Sequence, residues 1–309
     1  MLDTTMNRYK CYGCGKSGDV ISFVEECQGV GFIDAIRCLL DMYCPDVDTH
    51  DLFDQSATPE QEERDRKAET MFIYNQYAQE FFRAQYEAEN EEAAACRRYA
   101  ERTDSSTIGR WDKDFCRTFG LGYSPARGNK FLQYAKEKGL NLQILVEIGL
   151  LGEDDNHPGN YYDFYRGRLM IPQRDRYGRV QTFSARSINP QAAVKYLNGR
   201  DSLIYRKSTS IFGIDIAMKA ARQSGKVYLV EGAPDVMRLQ SLGIANVIAS
   251  LGGSWSKEQL GYFSKFSCSL CFIPDSDKPK DGEKFGAGEK FVFANGRLAT
   301  EMGFQVSVR

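Results

Sequence analysis

The stretch VYLVEGAPDV, from Val227 to Val236, decides the fold of this chain. An apolar run that ends in an acid and passes at once into Gly, Ala and Pro is typical of a buried parallel strand entering a helix. Strand-like and helix-like segments then alternate as far as FQVSV, the last predicted strand. The other predicted strands are 226–231, 246–250 and 268–274, and the predicted helices are 213–223, 234–242, 256–264 and 286–302. This alternation predicts a parallel sheet with crossover helices.

Carboxylates follow two of these predicted strands. Glu231 ends the first strand, and Asp275 and Asp277 come directly after LCFIP, the third. Because ligands of open α/β sheets bind at the carboxyl ends of the strands, we expect these side chains to converge, with Asp235 beside them. Converging carboxylates repel one another, and a hard divalent cation such as Mg²⁺ relieves that repulsion. The pattern therefore predicts a metal site suited to phosphoryl or nucleotidyl transfer, with helix caps and surface turns as the alternative.

The segment before this sheet is strongly basic. Between Arg166 and Ser210 there are ten basic residues and two acidic ones, although the net charge of the whole chain is −2. A local excess of this kind can bind a polyanion, and a solvated sheet face is the alternative. Within it, RLMIPQRDRYGRVQTFSAR (168–186) predicts two strands joined by an Asp-Arg-Tyr-Gly turn.

The N-terminal region holds half of a possible zinc site. Cys11 and Cys14 have the spacing of one ligand pair, whereas a structural zinc takes four ligands. Cys27 and Cys38 fall within predicted helices without paired spacing, so we interpret them as small core residues. The other candidate ligands are Cys44 and His50. A second pair, Cys268 and Cys271, lies in an apolar strand with the two sulfurs on opposite faces, and we interpret it as core.

These patterns divide the chain into five segments. The predicted segments are 1–44, a partial ribbon with two helices; 45–68, a linker; 69–158, a helical part with one long helix over 69–101; 159–212, a basic β-rich segment; and 213–309, the parallel α/β sheet. The predicted class is α/β, or α+β overall. No apolar run approaches the roughly 20 residues of a membrane span, and no signal peptide opens the chain. Nine irregularly spaced cysteines favour reduced thiols, so we expect a cytoplasmic protein without a membrane partner.

Three regions resemble one protein family. VYLVEGAPDVMRL, ANVIASLGGS and LCFIPDSD, in that order, resemble the Toprim domain shared by bacterial DnaG-type primases, topoisomerases of types IA and II, and some nucleases. FYRGRLMIPQRDRYGRVQTFSAR and VKYLNGRDSLIYRKSTSIFG resemble the segment that precedes Toprim in DnaG-type primases. CYGCGKSGDVISFVEECQGVGFIDAIRCLL is similar to the second half of the primase zinc ribbon and its trailing helices. Together they cover about two thirds of the chain.

The resemblance implies RNA primer synthesis from ribonucleoside triphosphates on single-stranded DNA, with Mg²⁺ or Mn²⁺. It implies catalytic roles for Glu231, Asp275 and Asp277, with the same three residues and Asp235 holding the metals. The residues that match the family's basic ridge, which guides template and contacts nucleotide phosphates, are Arg166, Arg168, Arg186, Lys195, Asn198 and Lys207. Tyr196 or Tyr205 is then expected to stack on a base.

The sequence also departs from the family pattern. The first zinc ligand pair is missing, so zinc binding by Cys11 and Cys14 stays open, and an insertion of about eight residues follows Asp277. A downstream acidic motif and the helicase-docking domain are absent too, so a replicative helicase is expected to bind only through regions outside this sequence. The alternatives are a Toprim nuclease or topoisomerase-like enzyme, and a non-catalytic accessory protein that binds single-stranded DNA.

Overall fold

The computed structural model describes residues 2–3, 8–10, 13, 17–28, 30–44, 58–101, 111–264, 268–276, 278–279 and 283–309. The chain forms two compact units, Met1–Glu63 and Arg64–Arg309. None of the helices within the described ranges is long and apolar enough to cross a membrane.

The first unit combines a small antiparallel sheet with two helices. Its strands β1 (Leu2–Asp3), β2 (Arg8–Lys10) and β3 (Ser17–Asp19) pair in that order. Helices α1 (Val20–Gln28) and α2 (Phe32–Tyr43) follow. The Asp19 carboxylate accepts a hydrogen bond of 2.9 Å from the backbone N–H of Ser22, as an N-terminal helix cap does.

The helical part differs from the sequence prediction. Helix α3 (Pro59–Glu87) begins within the predicted linker, because Pro59 and the acids of the first turn suit a helix N-terminus. The prediction of a single helix over 69–101 is wrong, since the first helix ends at Glu87 and a second begins at Glu91. Asn90 then caps α4 (Glu91–Ala100) by accepting from the Ala93 N–H at 2.9 Å. The remaining helices of this part are α5 (Lys113–Phe119), α6 (Lys130–Glu137) and α7 (Leu142–Glu147).

The β-rich segment forms an antiparallel sheet. Its order is β4-β7-β8-β9, from β4 (Gly122–Ser124), β7 (Arg168–Arg174), β8 (Val180–Ser187) and β9 (Tyr196–Asn198). A separate hairpin joins β5 (Leu151–Asp154) and β6 (His157–Asp163). The predicted hairpin over 168–186 is confirmed, and the Asp175 carboxylate closes its turn by accepting from the Tyr177 N–H at 2.9 Å. Strand β4 was not predicted.

The C-terminal part is the predicted parallel sheet. Its order is β11-β10-β12-β13, and every neighbouring pair is parallel. The strands are β10 (Lys226–Val230), β11 (Val247–Ala249), β12 (Ser269–Phe272) and β13 (Val306–Val308). The helices are α8 (Ile214–Ser224), α9 (Ala233–Ser241), α10 (Lys257–Ser264) and α11 (Ala287–Glu301).

The two larger sheets share one hydrophobic core. Leu169 and Ile171 of β7 pack in the same cluster as Val230 and Val247 from the parallel sheet. The backbone of Phe212, just before α8, also exchanges hydrogen bonds of 2.9 and 3.1 Å with Ala249 of β11. Because apolar burial joins both sheets, the ends of β10 and β12 are held beside β8 and β9.

Candidate active site at the ends of the parallel strands

A cleft of about 500 Å³ opens where the parallel strands end beside the antiparallel sheet. Glu231 and Asp275, which follow β10 and β12, lie on one side of it, with Asp235 from the first turn of α9. Strands β8 and β9 supply the facing side, and the loop after β11 supplies a further wall. The lining residues are Ser184, Tyr196, Asn198, Glu231, Gly232, Ala233, Pro234, Asp235, Leu251, Gly252, Gly253 and Asp275. The cleft therefore combines acids of one sheet with polar and aromatic groups of the other.

The carboxylates are held by backbone contacts as well as by the strands. Glu231 Oε1 accepts a hydrogen bond of 2.9 Å from the backbone N–H of Asp275, which ties the two strand ends together. Burial, followed by the negative charges of Asp275 and Glu231, raises the pKa of the Asp235 carboxyl. Asp277 lies outside the described residues, so its place relative to the other three is not part of this geometry.

The donor set fits a hard divalent cation. Glu231, Asp235 and Asp275 offer carboxylate oxygens, which Mg²⁺ and Mn²⁺ prefer. The pKa of Asp235 is raised first by burial and then by the charges of the other two acids, and a bound cation would offset both effects. Among the residues that the structure describes, no three acidic, thiol or imidazole groups are already gathered as metal ligands. The three carboxylates share one cleft, but they are not drawn together into a closed coordination shell.

Several residues of the predicted basic ridge lie at or near the cleft. Asn198 lines it and accepts a hydrogen bond of 2.5 Å from the Ser184 hydroxyl. The Arg186 guanidinium lies over the rings of Tyr196 and Tyr99, at 4.8 and 5.3 Å from their centroids, and donates to the Tyr196 hydroxyl. This stacking orients a cation and a ring at the edge of the cleft.

Lys207 and Lys195 are both exposed, and they differ in what they lie against. The side chain of Lys207 packs along Gly252, so that a Cβ added to this glycine would lie 3.1 Å from Lys207 Cε. Lys207 therefore lies against a residue that lines the cleft. Lys195 follows an exposed stretch before β9, and its backbone carbonyl accepts from the Ser187 N–H at 2.9 Å.

Arg166 and Arg168 do not line the cleft. Arg166 donates to Asn129 Oδ1 at 2.6 Å and to the Asp163 carbonyl at 3.2 Å. Arg168 donates to the carbonyls of Val194, Ala185 and Lys195 at 3.1 to 3.4 Å, and burial lowers its pKa. The bonds of Arg168 fix the segment that leads into β9, whereas those of Arg166 join the connection between β6 and β7 to Asn129, just before α6. The stacking role considered for Tyr205 is wrong, because this ring is 2% exposed and lies in the core.

Comparison with known proteins identifies the family. The family models described as the N-terminal domain of the DNA primase catalytic core, the CHC2 zinc finger and a Toprim-like domain match residues 81–218, 2–55 and 228–309. The DNA primase of Mycobacterium tuberculosis strain H37Rv is 30% identical over 301 residues, which cover 92% of this chain and 45% of that protein. The DNA primase of Listeria innocua is 27% identical over 287 residues, covering 93% and 44%. The chain belongs to the DnaG-type primase family.

Solved primase structures share the fold. The zinc-binding and RNA polymerase domains of Aquifex aeolicus primase align with a TM-score of 0.65 at 27% identity, covering 99% of this chain and 68% of that one. The RNA polymerase domain of M. tuberculosis primase aligns with a TM-score of 0.64 at 26% identity, covering 77% and 75%. This chain spans slightly less than half the length of the curated primases it matches. The Toprim-like and CHC2 matches both indicate metal binding.

The structure describes most of the cysteines that the sequence singled out. Cys11 and Cys14 lie outside the described residues. The interpretation of Cys27 as a core residue is wrong, because this side chain is exposed. Cys38 is half-buried, and its Sγ donates to Gln28 Oε1 at 3.3 Å. Cys271 is buried within β12 as expected for a core residue, whereas Cys268 precedes the strand and is half-buried.

Two groups of the cleft had no role assigned from the sequence. Ser184 is a buried residue within β8, and a lone serine in a strand gives no signal of its own. The loop Leu251–Gly253 forms a wall of the cleft, with left-handed backbone at Leu251 (φ 54°) and Gly253 (φ 69°). The Gly-Gly pair at 252–253 could have indicated this loop, since paired glycines after a strand mark a turn or loop.

Proposed function

We propose that this protein synthesises short RNA primers on single-stranded DNA by metal-dependent nucleotidyl transfer. One observation carries the proposal: a single cleft holds the Toprim carboxylates Glu231, Asp235 and Asp275 opposite Tyr196 and Asn198 of the KYLN segment. The acids suit a cation and phosphates, and the ring and amide suit a nucleoside. A nuclease or a topoisomerase needs no such facing wall from β9.

The acidic side is the proposed catalytic centre. Glu231 and Asp275 are held together by their 2.9 Å hydrogen bond, and we assign Asp277 to the same centre from the sequence. Asp235 is the further ligand, since it lines the same cleft as Glu231 and Asp275. With Mg²⁺ or Mn²⁺ bound, the site would neutralise the phosphate charge that develops during transfer.

The basic side is the proposed template and nucleotide surface. Arg186, stacked on Tyr196, and Lys207, packed on Gly252, are the described cations best placed to meet phosphates at the cleft. Arg168 acts mainly by fixing the approach to β9, Arg166 holds the connection between β6 and β7 against Asn129, and Lys195 extends the surface. A similar protein supports the proposal that this surface binds DNA. The RNA polymerase domain of M. tuberculosis primase, 25% identical, was solved with a double-stranded DNA oligomer that carries a 6-nucleotide overhang.

Zinc binding by Cys11 and Cys14 is a finer proposal, supported by the CHC2 match over residues 2–55. Elemental analysis of the purified chain tests it. Stoichiometric zinc that disappears in a Cys11→Ser, Cys14→Ser variant is the expected result. Equal zinc content in the variant would remove these two residues from the ligand set.

Template-dependent incorporation of labelled ribonucleotides tests the function. The chain should extend or start RNA on single-stranded DNA in the presence of Mg²⁺ or Mn²⁺, and a Glu231→Gln, Asp275→Asn double variant should not. Synthesis by the double variant at the wild-type rate would refute the assigned centre. Metal-dependent nicking of supercoiled DNA would favour the nuclease alternative, and salt-dependent DNA binding without synthesis would favour the accessory one.

A further inference from the structure

The wall of the cleft formed by Leu251, Gly252 and Gly253 has a demanding backbone. Leu251 adopts a left-handed conformation, with φ at 54°, which side chains other than glycine rarely adopt. Gly253 is also left-handed, with φ at 69°. Such a conformation persists only where surrounding contacts hold it. The loop therefore depends on groups outside the cleft for its shape.

Asn295 supplies those contacts from helix α11. Its side chain is 2% exposed and is not among the cleft-lining residues. Asn295 Oδ1 accepts from the Trp255 N–H at 2.8 Å, and Nδ2 donates to the Gly253 carbonyl at 3.2 Å and to the Phe291 carbonyl at 2.8 Å. One buried amide thus ties the C-terminal half of the loop to the helix that begins beside Asp275.

The same loop is coupled to Lys207 on its other side. The side chain of Lys207 lies along Gly252, and the buried Gln259 donates to the carbonyls of Lys207 and Ser210 at 3.2 and 2.7 Å. Ser256, just after the loop, donates to the Ser208 carbonyl at 2.6 Å. A shift of the loop would therefore move Lys207 together with Gly252.

We propose that Asn295 is a positioning residue for nucleotide binding. It holds Gly252 and Gly253 where the loop and Lys207 together face the phosphates of a nucleoside triphosphate in the cleft. Template binding on β8 and β9 does not depend on it, because Arg186 and Tyr196 are fixed by their own stacking. This inference rests on the proposed function for the identity of the ligand, whereas the loop geometry itself does not.

The first test compares Asn295→Leu with Asn75→Leu. Both residues are buried, and Asn75 donates across elements to the Gln181 carbonyl at 2.8 Å, so its variant is a matched loss of a buried amide. Asn295→Leu should raise the KM for ribonucleotides about tenfold or more, with template affinity and kcat changed far less. Asn75→Leu should leave the nucleotide KM within about twofold. Equal changes in both variants, or equal changes in nucleotide and template affinity, would overturn the proposal.

Hydrogen exchange at the Trp255 amide gives a readout independent of catalysis. Asn295→Leu should lose protection at this amide, while protection across β10 and β12 stays as in the wild type. In a double-mutant cycle, Asn295→Leu should cost less nucleotide affinity when Lys207 is already alanine. Additive effects, or an amide that stays protected, would refute the positioning role. A wild-type chain without synthesis would instead count against the proposed function and leave the exchange result standing.

Discussion

Replacing Gly288 by alanine should misplace Asp275 while leaving the fold intact. Gly288 lies in the first turn of α11, where the helix meets the loop that carries this acid. A Cβ at this position would lie 2.0 Å from the Asp275 carbonyl oxygen and 3.0 Å from Pro274 Cβ. Ordinary contact begins near 3.4 Å, so the loop or the helix must move by about 1.4 Å. Backbone on both sides leaves no flexible side chain to yield.

The expected consequence is a large loss of rate with a moderate loss of stability. A displacement of about 1 Å at a reacting centre can cost about 100-fold in rate, because the groups no longer meet in the productive geometry. Overpacking of this kind costs about 1–3 kcal/mol of unfolding free energy. Gly288→Ala should therefore lose about two orders of magnitude in ribonucleotide incorporation, and more Mg²⁺ should be needed for half-maximal rate.

Gly296→Ala, in the same helix, is the matched control. A Cβ there meets Val306 Cγ1 at 3.8 Å, an ordinary contact, so the change should only favour the helix, by up to about 1 kcal/mol. Incorporation rates and thermal unfolding are measured for both variants in parallel. A Gly288→Ala chain that synthesises RNA as fast as Gly296→Ala would refute the role of this close approach.

Three other changes test separate parts of the molecule. Burial raises the pKa of Asp215 above its unfolded value of 3.8, although Arg174 opposes this, so stability should fall as pH rises through the folded pKa. The free energy of unfolding of Asp215→Asn, measured in urea, should therefore rise relative to that of the wild type between pH 4 and 7. A difference between the two proteins that does not change with pH would contradict this reasoning. Arg186→Ala should weaken single-stranded DNA binding in anisotropy titrations and reduce the slope of log affinity against log salt concentration by about 1. The same change of slope in Arg200→Ala would show that Arg186 contributes no more to DNA binding than another arginine of this segment. Asn90→Ala should cost about 1 kcal/mol in urea unfolding through loss of a helix cap, whereas no loss would mean that water replaces the cap.

Local patterns were enough to predict the parallel sheet and the hairpin of β7 and β8. The apolar run before Glu231 and the turn at Asp175 specify strand and hairpin from neighbouring residues alone, and both predictions are confirmed. Predictions failed where the pattern was weak. The start of α3 at Pro59 carries mostly polar residues, and the break after Glu87 depends on a single cap, so neither boundary had a strong periodic signal.

The position of the acids on one side of the cleft was also predictable from the sequence. Glu231 and Asp275 follow strands that had to be parallel, so their meeting at one sheet edge was a consequence of topology. Asp277 stays a prediction, since it lies outside the described residues. Among the basic residues, by contrast, residue type did not show which side chains lie beside the cleft. Arg168 and Arg186 look alike in the sequence, yet one donates to backbone carbonyls while the other stacks beside the cleft.

The sequence by itself determined the order of strands and helices in the C-terminal part and the acids at its strand ends, because these depend on neighbours along the chain. Only the tertiary structure decided which cations lie against residues of the cleft, that Tyr205 is buried, and that Asn295 bonds the loop beside Lys207. The physical reason is that hydrogen bonds and packing across elements join residues far apart in sequence. Asn295 and Gly253 are separated by 42 positions, and no local pattern records such a bond.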